Sequence, residues 1–157
     1  MARQHPLDHD GHGHRYCLVA ARFNASFVER LVEGALDVLR QRGAREEDLE
    51  VVWVPGSFEL PLACRWAAAS GRFDALLAFG TVIQGETEHH RIVTEVAARG
   101  LLQVMLETGV PVVNGVLAVR DAEQAEARTG GRLGNRGAEA ALAAVAMGRL
   151  KHSWAPR

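Results

Sequence analysis

Four short apolar runs alternate with longer segments of helical spacing, and that alternation leaves the chain few architectures. "YCLVAA" reads as a buried strand and is followed by "RFNASFVERLVEGALDVLRQRG", where Phe27, Leu31, Ala35 and Leu39 repeat at helical spacing. Ser26 and Glu29 are expected to form a capping box at its start, and Gly43 to stop it. A strand "LEVVWVPG" precedes the helix "SFELPLACRWAAASG", with Pro61 in its first turn; a third strand, "FDALLAFGTVI", precedes the long helix "EHHRIVTEVAARGLLQVMLETG". Ile92, Val93, Val96, Ala97, Leu101 and Val104 are expected on the buried side of that helix. A fourth strand, "PVVNGVLAV", leads through Asp121 into a short helix, a turn "TGGRLGN" and an alanine-rich helix reaching about Leu150. Strands this apolar predict a four-stranded parallel sheet covered by helices on both faces: an α/β, three-layer αβα sandwich of flavodoxin-like type.

At 157 residues and 48% hydrophobic content, one domain is expected over residues 15–157. Residues 1–14 differ in character: they hold four of the seven histidines beside Asp8 and Asp10, and are expected to be a flexible histidine-rich arm whose weak metal affinity carries no chemistry. Basic and acidic residues number 18 and 19 and are interspersed, so neither a nucleic acid nor a lipid surface is an expected partner. Cys17 and Cys64 show no metal spacing, and no apolar run is long enough to span a bilayer. Buried free thiols in a cytoplasmic protein are the expectation, and no metal site is expected.

In open parallel sheets, ligands bind beyond the carboxyl ends of the strands. Arg22, Phe23 and Asn24 follow the first strand; Pro55 to Glu59 follow the second; Gln84 to His89 follow the third. Phe23 can stack on a flat heterocycle, Ser57 and Glu59 can hydrogen-bond a polyol or ring N–H groups, and Gly85 lets backbone amides approach an anion. Each also has a plain structural role, Phe23 in a core and Gly56 and Gly85 in turns. Together they describe a site for a polar, partly aromatic ligand with a phosphate nearby.

"RFN", "VPGSFELPLA", "GTVIQGETEHH", "PVVNGVL" and "EARTGGRLGNRGAEAALAAVAM", in this order, resemble the 6,7-dimethyl-8-ribityllumazine synthase family of riboflavin biosynthesis, from about Tyr16 to Leu150. The resemblance implies a cofactor-free condensation of 5-amino-6-(D-ribitylamino)uracil with L-3,4-dihydroxy-2-butanone 4-phosphate, releasing phosphate and water. It implies Phe23 as the ring-stacking aromatic, and Ser57, Phe58 and Glu59 as the holders of the ribityl chain. Thr81, Val82 and Ile83 match the strand end whose backbone reads the pyrimidine edge; Glu86, Thr87 and Arg128 match the phosphate subsite; His89 matches the proton-transfer histidine. Asn114 matches a position that reaches the site of a neighbouring subunit, where many relatives carry phenylalanine. A homo-oligomer is implied: pentamers, with a closed icosahedral shell expected from the compact "TGGRLGNRG" turn.

The chemistry requires such a set. An amine attacks a ketone, water leaves, phosphate is eliminated and a second ring closes, so protons move at almost every step, and a histidine titrating near neutrality can take and return them. Holding amine and ketone in contact supplies much of the remaining acceleration, up to about 7–11 kcal/mol in good cases. The competing reading is a non-catalytic flavin- or nucleotide-binding module, or a shell-forming protein, of the same fold. His89 and Arg128 together separate the two, since a pure binder needs neither.

Overall fold

A computed structural model describes residues 1–156. Its centre is a four-stranded parallel sheet of order β2-β1-β3-β4, built from β1 (Tyr16–Ala21), β2 (Leu49–Val54), β3 (Ala75–Ile83) and β4 (Val112–Val119). Five helices follow the strands: α1 (Ala25–Gln41), α2 (Leu60–Ala69), α3 (His89–Thr108), α4 (Ala122–Arg128) and α5 (Arg136–Ser153). Successive side chains of a strand point to opposite faces, and the core divides accordingly. Tyr16, Leu18, Ala20, Leu77 and Phe79 pack with α1 and α5, whereas Cys17, Val19, Leu76 and Ala78 pack with α2 and α3. This is the three-layer α/β sandwich expected from the alternation. Cys17 and Cys64 are buried free thiols in the second core, where burial pushes their pKa values up to about 11 and about 12.

Three local expectations require correction. Helix α1 does not begin with a Ser26–Glu29 box: its N-cap is Asn24, in the left-handed region at φ 58°, with no side-chain cap. The outer strands are not closed off on both faces, since Val51, Val52 and Trp53 of β2 are exposed and β2 ends the sheet. On α3, Ala97, Leu101 and Val104 are buried, but Ile92 and Val96 are exposed, because the apolar surface of this helix is wider than the core it packs against. The "TGGRLGN" turn also contains a small antiparallel hairpin, β5 (Thr129–Gly131) and β6 (Gly134–Asn135). It delivers Asn135 to the start of α5, where the side chain accepts from the N–H groups of Gly137 and Ala138 and donates to the Arg30 carbonyl of α1.

At the opposite end of the sheet, the N-terminal segment is joined to the domain. Gly11 N–H donates to the Arg42 carbonyl at 2.7 Å, and the Arg149 guanidinium donates to the carbonyls of Asp10 and His12. His14 is buried, 5.4 Å from His152 between ring centroids, and its Nδ1 has no partner among the described residues. Burial, with Arg149 and His152 nearby, holds its pKa below the usual 6.5 against the opposing influence of Asp74 and Asp10. The folded state therefore favours the neutral ring while the unfolded chain binds a proton below about pH 6.5, so this contribution to stability is present at pH 7.5 and declines as pH falls through 6.5. Chemical denaturation at pH 7.5 and pH 5 should show a smaller acid loss in His14→Asn than in the parent; equal losses would remove His14 as a source.

Candidate active site

The sheet order makes the site's position a geometric necessity. From β1 the chain turns to β2 on one side, and from β2 it crosses to β3 on the other, so a crevice opens between the carboxyl ends of β1 and β3. A cleft of about 400 Å³ lies there, lined from the β1–α1 turn by Phe23 and Asn24, from the β2–α2 turn by Gly56 to Glu59, from β3 by Thr81 to Ile83, and from the α3 entry by Gly85, Thr87, His89, His90 and Val93.

Each segment reaches the cleft for a local reason. Phe23 is 73% exposed on the rim, which excludes the core role and leaves an aromatic face open to a flat ligand. Residues Ser57–Glu59 form a 3₁₀ turn ahead of Pro61, bringing Ser57 inward and leaving Phe58 and Glu59 outward. Ser57 is admitted because β3 carries glycine at position 80: a Cβ there would lie 2.3 Å from Ser57 Oγ. The Thr81 hydroxyl is buried and has no partner among the described residues, while the Thr81 carbonyl accepts from Asn24 Nδ2 at 2.7 Å.

The two histidines differ. His90 is half-buried and its Nδ1 lies 3.0 Å from the Thr87 carbonyl, so Nδ1 carries the hydrogen and donates it. His89 is exposed; its backbone N–H donates to Thr87 Oγ1 at 3.3 Å, and its ring has no hydrogen-bond partner among the described residues. The free ring is His89, although not because it faces the packed side of α3: Ile92 and Val96, three and seven residues on, are themselves exposed.

The cleft thus gathers Phe23, Ser57, Phe58, Glu59, Thr81, Val82, Ile83, Thr87 and His89. Three residues expected at the site lie outside its lining. Glu86 is exposed between Gly85 and Thr87, which both face the cleft. Asn114 is exposed on β4, where its Oδ1 accepts from Val116 N–H. Arg128 closes α4, donates to the Gln124 carbonyl at 3.2 Å, and lines a separate small depression with Leu133, Arg136 and Glu139. Among the described residues, no arginine or lysine lines the cleft. Asn24, His90 and Val93 line it without having been assigned a role; Asn24 follows directly on the first strand, a position that identifies it as near a ligand even where its side chain chemistry does not.

The sequence profile of the family described as 6,7-dimethyl-8-ribityllumazine synthase matches residues 13–152. The chain belongs to the 6,7-dimethyl-8-ribityllumazine synthase family. It is 53% identical over 133 residues to a 6,7-dimethyl-8-ribityllumazine synthase of Halorhodospira halophila, covering 85% of each chain. It is also 45% identical over 140 residues to the chloroplastic 6,7-dimethyl-8-ribityllumazine synthase of Arabidopsis thaliana, covering 89% of this chain and 62% of the plant protein. The cleft of this chain combines an aromatic face, hydroxyl and carboxylate acceptors, and a helix entry with an exposed imidazole. No helix among the described residues is long and apolar enough to cross a membrane.

Proposed function

We propose that this cleft condenses 5-amino-6-(D-ribitylamino)uracil with L-3,4-dihydroxy-2-butanone 4-phosphate to 6,7-dimethyl-8-ribityllumazine, without a cofactor. The observation that carries the reading is one cleft bordered by an open aromatic face at Phe23 and a free imidazole at His89. Phe23 stacks on the pyrimidine, the backbone of β3 from Thr81 to Ile83 meets its edge, and Ser57, Phe58 and Glu59 hold the ribityl chain. Thr87 and the backbone beside Gly85 and Glu86 receive the phosphate, and His89 moves protons between the amine, the departing water and the departing phosphate. Incubating the purified protein with both substrates and following the fluorescence of the lumazine tests the reading; tight binding without product would favour a binding module instead.

The two substrates should separate by mutation. Arg128 can hold phosphate through two parallel charge-assisted hydrogen bonds, so Arg128→Gln should weaken the ketone phosphate by tenfold or more, on the order of 1.5–3 kcal/mol, while leaving the aminouracil nearly unchanged. Phe23→Ala should show the reverse preference. Titration of each ligand into both variants measures this, and matched losses for both ligands would count against distinct subsites.

Because no arginine or lysine among the described residues of one protomer lines the cleft, the proposed site is shared: Arg128 and Asn114 serve a neighbour's cleft. The exposed apolar groups of β2 and α3, Val51, Val52, Trp53, Ile92 and Val96, support a homo-oligomer, and the family resemblance with the compact "TGGRLGNRG" turn extends it to pentamers closed into an icosahedral shell. Light scattering of the tag-free protein should give the mass of a shell. An active monomer at nanomolar concentration would overturn the shared site, whereas a stable isolated pentamer would overturn only the shell. The buried free thiols support a reducing, cytoplasmic setting.

A further inference from the structure

Phe23 offers an open face only if the β1–α1 turn holds still, and nothing in the core touches most of that side chain. The turn lies where the sheet splits. On the β2 side, strand pairing runs past the end of β1: Arg22 N–H donates to the Val54 carbonyl at 2.8 Å and Phe23 N–H to the Pro55 carbonyl at 3.2 Å. On the β3 side the paired register stops at Ala20 opposite Phe79, and the crevice opens. The Asn24 side chain spans that gap through its 2.7 Å hydrogen bond from Nδ2 to the Thr81 carbonyl. It does so from the left-handed region, φ 58°, and Asn24 has the only positive φ of any non-glycine among the described residues. Asparagine tolerates this conformation better than most residues, and the conformation turns the chain sharply from the strand into α1.

We infer that Asn24 is a positioning residue of the active site: its left-handed backbone turns the chain, and its amide ties β1 to β3 across the crevice so that Phe23 is fixed over the cleft. This rests on the proposed stacking role of Phe23. A local polar cap would satisfy α1 equally well, but the Asn24 amide makes no such cap and is directed at β3. The Thr81 carbonyl is correspondingly engaged by the protein.

Two substitutions separate the backbone from the amide. Asn24→Gly keeps access to positive φ and removes the amide; Asn24→Asp keeps the shape and replaces the donor by an acceptor. In the full-length protein, both should weaken binding of 5-amino-6-(D-ribitylamino)uracil by about three- to tenfold, the range of one lost hydrogen bond, and change binding of the ketone phosphate by less than about twofold. In a Phe23→Ala background the same substitutions should cause no further loss, because Asn24 acts through Phe23. Amide hydrogen exchange of residues 22–25, measured without ligand, should accelerate in Asn24→Gly while that of α5 is unchanged. Matched losses for both substrates, an undiminished loss without Phe23, or unchanged exchange at residues 22–25 would overturn the inference. If the parent protein does not bind the aminouracil, the functional reading fails, and the exchange measurement still decides whether Asn24 holds the turn.

Discussion

Replacing His89 by alanine should lower kcat by about 10²–10⁴ while the affinities for both substrates change little, because the role proposed for the imidazole is to transfer protons in the transition states and not to hold either ground state. The neighbouring substitution, His90→Ala, should do much less to kcat, since the His90 ring is committed through Nδ1 to the Thr87 carbonyl. Its effect should fall on the α3 entry, as a modest rise in KM for the ketone phosphate. Steady-state rates at saturating concentrations of both substrates, with binding titrations of each alone, separate the two outcomes. Equal losses of kcat from the two histidines would remove His89 from its role, and so would a large loss of binding with kcat intact.

Gly137→Ala should be the most damaging single methyl group added to this fold. A Cβ at residue 137 would lie 1.9 Å from the Leu31 carbonyl oxygen and 2.7 Å from its carbon, both backbone atoms of α1, so no side chain can rotate away to make room. Helices α1 and α5 would have to separate, opening the core between Leu31, Ala35, Ala141 and Val145. Overpacking of this kind costs about 1–3 kcal/mol, and an immovable backbone partner places this site at or beyond the upper end. Against a typical total of about 5–15 kcal/mol, the denaturant midpoint should drop sharply. An unchanged midpoint would mean that the two helices are not held at this separation.

The layered fold was legible in the sequence because two periodicities alternate in it: short apolar runs gave the strands, and the spacing of Leu31, Ala35 and Leu39 gave the buried side of α1. What could not be read were features set by partners distant in sequence. Ser26 and Glu29 fit a capping box locally, but the start of α1 is fixed by a bond from Asn24 to Thr81, 57 residues away. The periodicity of α3 correctly identified an apolar face; it could not say which part meets the sheet, so Ile92 and Val96 were expected inside and lie outside. The cleft was legible for a different reason. Its lining follows directly on strand ends, and the position of a strand end is a property of the topology, whatever the side chains there do. Asn114 and Arg128 escape that logic, since neither lies on the carboxyl side of the crevice between β1 and β3.

The exposed strand β2 has a consequence for the protein's history in time. Its outer edge is unpaired among the described residues, and Val51, Val52 and Trp53 stand open beside it. Such an edge accepts any extended chain that arrives first, correct or not. On the proposed self-assembly, a newly made chain is therefore in a race: encounter with its own copies would cover its apolar surface, while encounter with a partly folded chain would begin an aggregate. Both encounters are bimolecular and both accelerate with concentration, so raising the amount of protein does not by itself decide the race. The decisive quantity is the fraction of neighbours already folded, and slow synthesis, which keeps that fraction high, should yield more usable protein than rapid synthesis of the same total amount.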